Sequence, residues 1–172
     1  MRTCSLTSHA KHYIPLNVDR LQFWIDQGRI DPTQQITARE LLASRCIHKV
    51  GDGVKLLADG AQHLRTPVNL VVSRASQRAI KAVEGAGGSI VCRYYNSTSL
   101  LALVRPQKWL GENRPLPHFA DPVSKRELLW YSSLNNRGYL ALRDFAARKQ
   151  GGKETRGQDA TPAAQPAAQE EH

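Results

Sequence analysis

Short apolar segments separated by glycine-containing turns make up the middle of this 172-residue chain. Residues 54–57 and the β-branched run 68–72 have the length and composition of strands. Residues 76–85 have helical spacing instead, and a pair of glycines directly follows that helix. Two further apolar runs, 90–95 and 100–104, predict strands on either side of a polar turn. This alternation predicts an α/β unit.

Two helices are predicted ahead of that unit. Asn17 can cap a helix that runs to about Gly28. Thr37 and Glu40 have the spacing of a capping box, which opens a second and shorter helix. The predicted fold class is therefore α/β, a single compact domain of irregular strand–strand–helix turns with a helical N-terminal lead-in.

The C-terminal part has less periodicity. Residues 106–121 are rich in proline and predict an extended segment laid over the surface. Asp121 and Pro122 then suit the start of a helix that ends near Ser133. The end of the chain is composed of Gly, Gln, Ala, Pro and acidic residues, which predicts disorder. We expect three parts, namely an irregular segment 1–12, a globular domain 13–145 and a disordered tail 146–172.

The charge of the chain is strongly positive. It has 24 Lys and Arg against 15 Asp and Glu, a formal charge of +9 and a pI near 9.8. Neutralising phosphates releases condensed counterions and gives affinity without base recognition, so nucleic acid is the expected partner. A basic surface that serves only to keep the protein in solution is the alternative.

No membrane span, metal site or cofactor is predicted. No run approaches the 18 apolar residues that a spanning helix requires. The three cysteines form no CxxC pair, which favours a reducing compartment over a disulfide framework. His9 with His12, and Cys46 with His48, each lack the second pair of ligands that zinc would need.

No catalytic residue and no small-molecule substrate are predicted either. The glycine-rich stretch 85–88 follows a helix and precedes a strand, whereas a nucleotide-binding loop has the opposite order. A helix C-cap therefore explains it better. The chain has no G-x-S-x-G motif and no obvious pair of acids on one face. A nucleic-acid-processing enzyme stays open only because such enzymes share the basic charge.

Cationic side chains beside turns and helix starts are the RNA-binding candidates. Three of them bracket the start of the central helix, and Arg93 lies on the next strand beside Tyr94 and Tyr95. Arginine binds phosphate through its bidentate fork, and tyrosine can stack on an unpaired base. Alternatively, the two tyrosines alternate between core and surface. The candidate set is Arg74, Arg78, Lys81, Arg93, Arg20 and Lys55.

Several motifs in order along the chain resemble those of a known family. They are YIPLNVDRLQ at 13–22, WIDQGRIDP at 24–32, GVKLL at 53–57, S-x-x-A-x-x-x-V-x-x-x-G-G at 76–88 and NRGYLA at 136–141. Together they resemble the ribosomal L-fifteen family, a family of large-subunit proteins, and the first and last motifs resemble its mitochondrial branch. The resemblance covers roughly residues 13–142, and its strength is in the order and spacing of the motifs.

The resemblance implies a non-catalytic α/β domain docked on large-subunit ribosomal RNA and on neighbouring ribosomal proteins in the mitochondrion. Family members usually begin with a long basic, glycine-rich extension, and nothing like it precedes Tyr13 here. Either the chain is truncated at its start or its RNA contacts are confined to the globular domain. The competing hypothesis is a free RNA-binding or ribosome-assembly protein that uses the same fold.

Overall fold

A computed structural model describes residues 11–111, 113–141 and 143. Most of the predicted irregular segment 1–12 and all of the predicted disordered tail 146–172 lie outside the described residues.

Short strands and helices alternate along the chain. The strands are β1 (Ile14–Asn17), β2 (Gln35–Ile36), β3 (Val54–Leu57), β4 (Asn69–Val72), β5 (Arg74–Ala75) and β6 (Ser89–Cys92). The helices are α1 (Val18–Asp26), α2 (Ala38–Ala43), α3 (Gln77–Gly85), α4 (Ser97–Val104), α5 (Gln107–Leu110) and α6 (Lys125–Tyr131). Two 3₁₀ turns, Ala61–His63 and Leu134–Asn136, complete the described elements.

The strands form two parallel sheets of three strands each. The odd-numbered strands pair in the order β1-β3-β5, and the even-numbered strands pair in the order β2-β4-β6. Leu16 lies opposite Leu56, and Leu70 lies opposite Ile90. Consecutive strands therefore belong to different sheets, and the predicted α/β class is confirmed with a parallel arrangement.

One continuous core joins the two sheets to the helices. Leu16, Leu56 and Leu70 contribute from the strands and are almost fully buried, and so are Leu21 of α1 and Val83 of α3. Burying a side chain of this size stabilises the fold by about 1.5–3 kcal/mol. Because each strand is short, the helices supply much of the apolar surface that keeps the sheets together.

The helix boundaries predicted around α1 to α3 are close to those observed. Asn17 occupies the N-cap position of α1, although its side chain makes no capping hydrogen bond. The capping box predicted at α2 is present, with the Thr37 backbone N–H donating to the Glu40 carboxylate over 2.8 Å. The α3 helix ends in a turn where Gly87 has φ 82° and the Gly88 N–H donates to the Val83 carbonyl.

The prediction of a strand at residues 100–104 was wrong, because these residues belong to α4. The polar stretch before them is a helix N-terminus, where the Asn96 side chain accepts a hydrogen bond from the Ser99 N–H over 2.6 Å. A continuous apolar run carries no periodicity, so its composition does not distinguish a strand from a buried helix. Strands β1 and β2 were not predicted, and α6 is shorter than the helix predicted from Asp121.

The C-terminal segment packs on the core through aromatic side chains. Tyr131 of α6 is fully buried, and its hydroxyl donates a hydrogen bond to the Ser73 carbonyl over 2.9 Å. The rings of Tyr94, Trp130 and Tyr139 lie within 4.7–5.9 Å of the Tyr131 ring. Such edge-on packing adds stability beyond the area that is buried. It ties α6 to strand β5 and to the segment after β6.

A backbone contact and an ion pair fix the turn after α6. Gly138 forms an isolated parallel bridge with Cys92, and the Cys92 N–H donates to the Arg137 carbonyl over 2.8 Å. The Arg137 guanidinium also grips the Glu84 carboxylate with two hydrogen bonds, which joins this turn to the end of α3.

Candidate nucleic-acid interface

The carboxylates of the described residues are all engaged by groups of the same chain. They accept hydrogen bonds or ion pairs in helix caps, in turns and between elements, and none is left as a free surface charge in that part of the molecule. The pairs, carboxylate first, are Asp19–His63, Asp26–Gln22, Asp31–Thr33, Glu40–Thr37, Asp52–His12, Asp59–Asn17, Glu84–Arg137, Asp121–Tyr139 and Glu127–Lys11.

Hydrogen bonding holds several of these groups in their ionised form. Hydrogen bonds from Thr33 lower the pKa of Asp31, and the hydrogen bond from Arg137 lowers the pKa of Glu84. A carboxylate that is already engaged in this way is less available to pair with a neighbouring cation. Many lysines and arginines therefore remain available to an external anion.

The α3 helix carries two such cations on one exposed face. Arg78 and Lys81 are three residues apart, which places them side by side on a helix, and both are exposed. The Glu84 carboxylate, one turn further along, is occupied by Arg137. Among the described residues no carboxylate pairs with Arg78 or Lys81. This α3 face, defined by these two residues, is thus positively charged and uncompensated.

The structure places Arg74 differently from its two predicted companions. Its guanidinium lies 5.2 Å from the Tyr13 ring centre and 4.7 Å from that of Trp130. One of its nitrogens is 3.9 Å from the Glu127 carboxylate, and its Nε is buried without a hydrogen-bond partner. Arg74 is therefore partly internal and contacts the base of α6, whereas Arg78 and Lys81 face outward.

Arg93 also makes contacts within the chain. Its guanidinium lies 4.0 Å from the Phe119 ring centre and 5.9 Å from that of Tyr139. The neighbouring tyrosines are packed as well, since Tyr95 is buried against Phe119 and Tyr94 meets Tyr131 edge to face. The two tyrosine rings belong to the packing of the C-terminal segment, which leaves them poorly placed to stack on a base.

The last two sequence candidates lie on separate elements. Lys55 is exposed on β3, where its register partners are Pro15 and Arg74. Arg20 is exposed on the first turn of α1, near the thiol of Cys46. Burial raises the pKa of that thiol to about 11, and the nearby Arg20 charge opposes this shift. Neither cation has a carboxylate partner among the described residues.

Other exposed cations without carboxylate partners, again within the described ranges, were not among the sequence candidates. They are Arg39, Arg45, Lys49, Arg65, Arg105, Lys125 and Arg126. A signal for some of them was present, because residues 41–51 contain basic side chains and no acidic one. The uncompensated charge is thus spread over several faces, and the α3 face is one part of it.

The geometry gives little support for chemistry of another kind. In the described part of the chain, no three His, Cys, Asp or Glu side chains lie close enough together to hold a metal ion. Over the same ranges, no helix combines the length and the apolar character needed to cross a bilayer. Cys92 is buried, which raises the pKa of its thiol to about 12 and keeps it protonated at neutral pH.

Comparison with known proteins gives consistent matches. A family model that describes the ribosomal proteins 50S-L15 and 50S-L18e and their 60S counterpart matches residues 15–91. The large ribosomal subunit protein uL15m of Neurospora crassa is 39% identical over 148 residues, covering 73% of this chain and 47% of that protein. The uL15m of Schizosaccharomyces pombe is 38% identical, covering 78% and 52%, and that of Danio rerio is 41% identical, covering 78% and 46%. The chain spans about half the length of these curated relatives.

The fold and the cationic surface define a small basic α/β protein with the charge distribution of a nucleic-acid-binding protein. The matches are more specific. The chain belongs to the ribosomal L15 family, and its relatives at about 40% identity are uL15m proteins. The resemblance drawn from the motifs is confirmed.

Proposed function

We propose that this protein is a structural constituent of the large mitochondrial ribosomal subunit, where it binds ribosomal RNA and neighbouring ribosomal proteins and supports subunit assembly. The observation that carries the proposal is the uncompensated positive charge of a fold whose described carboxylates are all engaged internally. Membership of the L15 family then favours ribosomal RNA over other polyanions.

The protein acts by binding alone in this proposal. A rigid basic domain placed between RNA helices reduces the repulsion between their phosphates and so favours the folded RNA. No proton transfer or covalent step is required. The raised pKa values of Cys46 and Cys92 fit this role, because a protonated buried thiol is a poor nucleophile.

The cationic candidates divide into two roles. Arg78 and Lys81 are proposed to contact phosphates directly, together with Lys55 and Arg20, because their side chains are exposed. Arg74 and Arg93 are proposed to act as positioning residues, because their guanidinium groups lie against aromatic rings of the C-terminal segment. Replacing either of these two is expected to affect how α6 and its neighbours pack before it affects phosphate binding.

The test is the salt dependence of binding to a transcript of mitochondrial large-subunit ribosomal RNA. Each phosphate contact that is lost should flatten the plot of log affinity against log salt by about 0.7–0.9. Replacing Arg78 and Lys81 together by Ala is therefore expected to reduce the slope by about 1.5–2. The measurement is a filter-binding titration at several salt concentrations.

A charge-preserving variant serves as the matched control. Arg78→Lys combined with Lys81→Arg keeps both positive charges on the α3 face, so the original slope should be retained. If the double alanine variant also keeps the original slope, this face does not contact RNA. If the wild-type protein shows no salt dependence at all, the RNA-binding role itself is contradicted.

A further inference from the structure

A groove with an aliphatic floor lies between α4 and the segment that follows α2. Its volume is about 420 Å³. Leu100, Leu101 and Val104 line it from α4, and Leu42 and Val50 line it from the other side. Leu101 and Val104 are three residues apart and so lie together on one side of the helix, where Leu101 is 38% exposed. The groove therefore presents apolar surface that the described chain leaves uncovered.

The rim of the groove is positively charged. His48 and Lys49 stand on one side and Arg105 on the other. The acid nearest in sequence is Asp52, and its carboxylate already accepts a hydrogen bond of 2.7 Å from the His12 backbone N–H. In the part of the chain that the structure describes, neither Lys49 nor Arg105 has a carboxylate partner. An occupant with acidic groups beside an apolar centre would match both features.

The floor distinguishes a protein occupant from an RNA occupant. Unpaired bases bind to aromatic rings or guanidinium planes on which they can stack, and no aromatic residue lines this groove. Leucine-sized side chains gain from an aliphatic concavity, because burying them removes apolar area from water on both partners. The basic rim would then pair with carboxylates and fix the orientation of the segment.

We propose that this groove is a docking site for a short segment of a neighbouring large-subunit protein, in which leucine-sized side chains are flanked by carboxylates. The inference rests on the proposed function, since it takes the chain to be seated in the subunit. It goes further by assigning a surface and a chemistry to one protein partner. The groove and the α3 face are lined by different residues, so RNA and this segment can be bound at the same time.

The experiment places a photoreactive benzoyl-phenylalanine at position 101 of the full chain, which is incorporated into large subunits. Purified subunits are irradiated and digested with protease and nuclease, and the crosslinked species is identified by mass spectrometry. The same residue at Ser97, which also lines the groove, covers the case in which the first variant fails to assemble. A photoreactive residue at the exposed Gln27, which does not line the groove, is the control position.

The expected product is a crosslink from position 101 or 97, and not from position 27, to a protein segment with Leu, Ile, Met or Phe beside Asp or Glu. Reversing the rim charges with Lys49→Glu and Arg105→Glu should lower its yield by about tenfold. Replacing the acids of the identified segment by Lys should restore the yield in the charge-reversed protein.

Several results would overturn the docking proposal. They are a crosslink to ribosomal RNA, a crosslink to residues 144–172 of the same chain, no crosslink beyond the chain itself, and a yield that charge reversal leaves unchanged. Sedimentation of the wild-type protein separates this failure from failure of the proposed function. A chain that sediments with large subunits but crosslinks to RNA rejects the groove assignment alone, whereas a chain that does not sediment rejects both.

Discussion

Gly138 shows how one residue without a side chain controls the approach of two segments. A Cβ atom built on it would lie 1.9 Å from the Tyr131 carbonyl oxygen, which is backbone and cannot rotate away. Gly138→Ala should therefore displace the turn after α6 and lower the free energy of unfolding by at least about 2 kcal/mol. Urea denaturation followed by circular dichroism measures this change.

Gly85 provides the matched control for that substitution. It is the last residue of α3, and a Cβ atom built there meets nothing within 4 Å. Gly85→Ala should leave the stability unchanged or raise it by up to about 1 kcal/mol, because alanine restricts the unfolded chain. Equal destabilisation by the two variants would show that the close contact at Gly138 is not the cause.

Two buried thiols predict how stability depends on alkaline pH. Burial raises the pKa of Cys46 to about 11 and that of Cys92 to about 12, from an ordinary value of 9.0. Because the folded pKa exceeds the unfolded one, this contribution is complete below pH 9 and is lost as the pH rises toward the folded values. The free energy of unfolding should therefore fall as the pH is raised from about 9 to about 11.

The control for the thiol effect is a variant with both cysteines replaced by Ala. Its absolute stability is lower because two small cavities are created, so the comparison concerns the slope of stability against pH. The slope of the variant should be shallower than that of the wild type. Parallel slopes would assign the alkaline decline to other groups, such as the buried Tyr131, whose pKa burial also raises.

At the scale of elements, α4 depends on its N-cap. The Asn96 side chain accepts a hydrogen bond from the Ser99 N–H, and the Ser99 hydroxyl accepts one from the Asn96 N–H. Asn96→Ala removes the first of these bonds and should cost about 1 kcal/mol of stability. Ser97→Ala, at the exposed next position, should change the stability by less than about 0.5 kcal/mol. Thermal unfolding of both variants tests the difference.

The same helix shows where prediction from sequence reached its limit. The α2 and α3 helices could be predicted, because their caps and their apolar spacing agree within the segment itself. For residues 100–104 the local pattern was uniform, and the outcome was decided by the cap at Asn96 and by packing against α2. Strand β2 has only two residues, and it exists because β4 pairs with it. Pairing between distant segments leaves little trace in local composition.

The candidate site was predictable to a similar extent. Residue type and position relative to a helix start were enough to select Arg78 and Lys81. They did not separate these exposed cations from Arg74 and Arg93, whose aromatic partners come from distant parts of the chain, such as Trp130 and Phe119. Which cations remain available to RNA therefore depends on tertiary contacts.

For the whole molecule, the division of charge is the feature that links fold to function. Acidic side chains are used within the chain to cap helices, close turns and join segments, and many basic side chains are left facing outward. This arrangement stabilises the fold and provides a surface for phosphates with the same small set of charged residues. A protein of this kind needs no recognition of individual bases to be held in a ribonucleoprotein.

The most direct test of the central claim is the distribution of this protein across a sucrose gradient of mitochondrial lysate, measured by quantitative mass spectrometry before and after nuclease treatment. The account predicts that the protein migrates with the large ribosomal subunit and that this migration is lost when nuclease digests the RNA. Recovery of the protein at the top of the untreated gradient would contradict it and favour a free RNA-binding or assembly protein with the same fold.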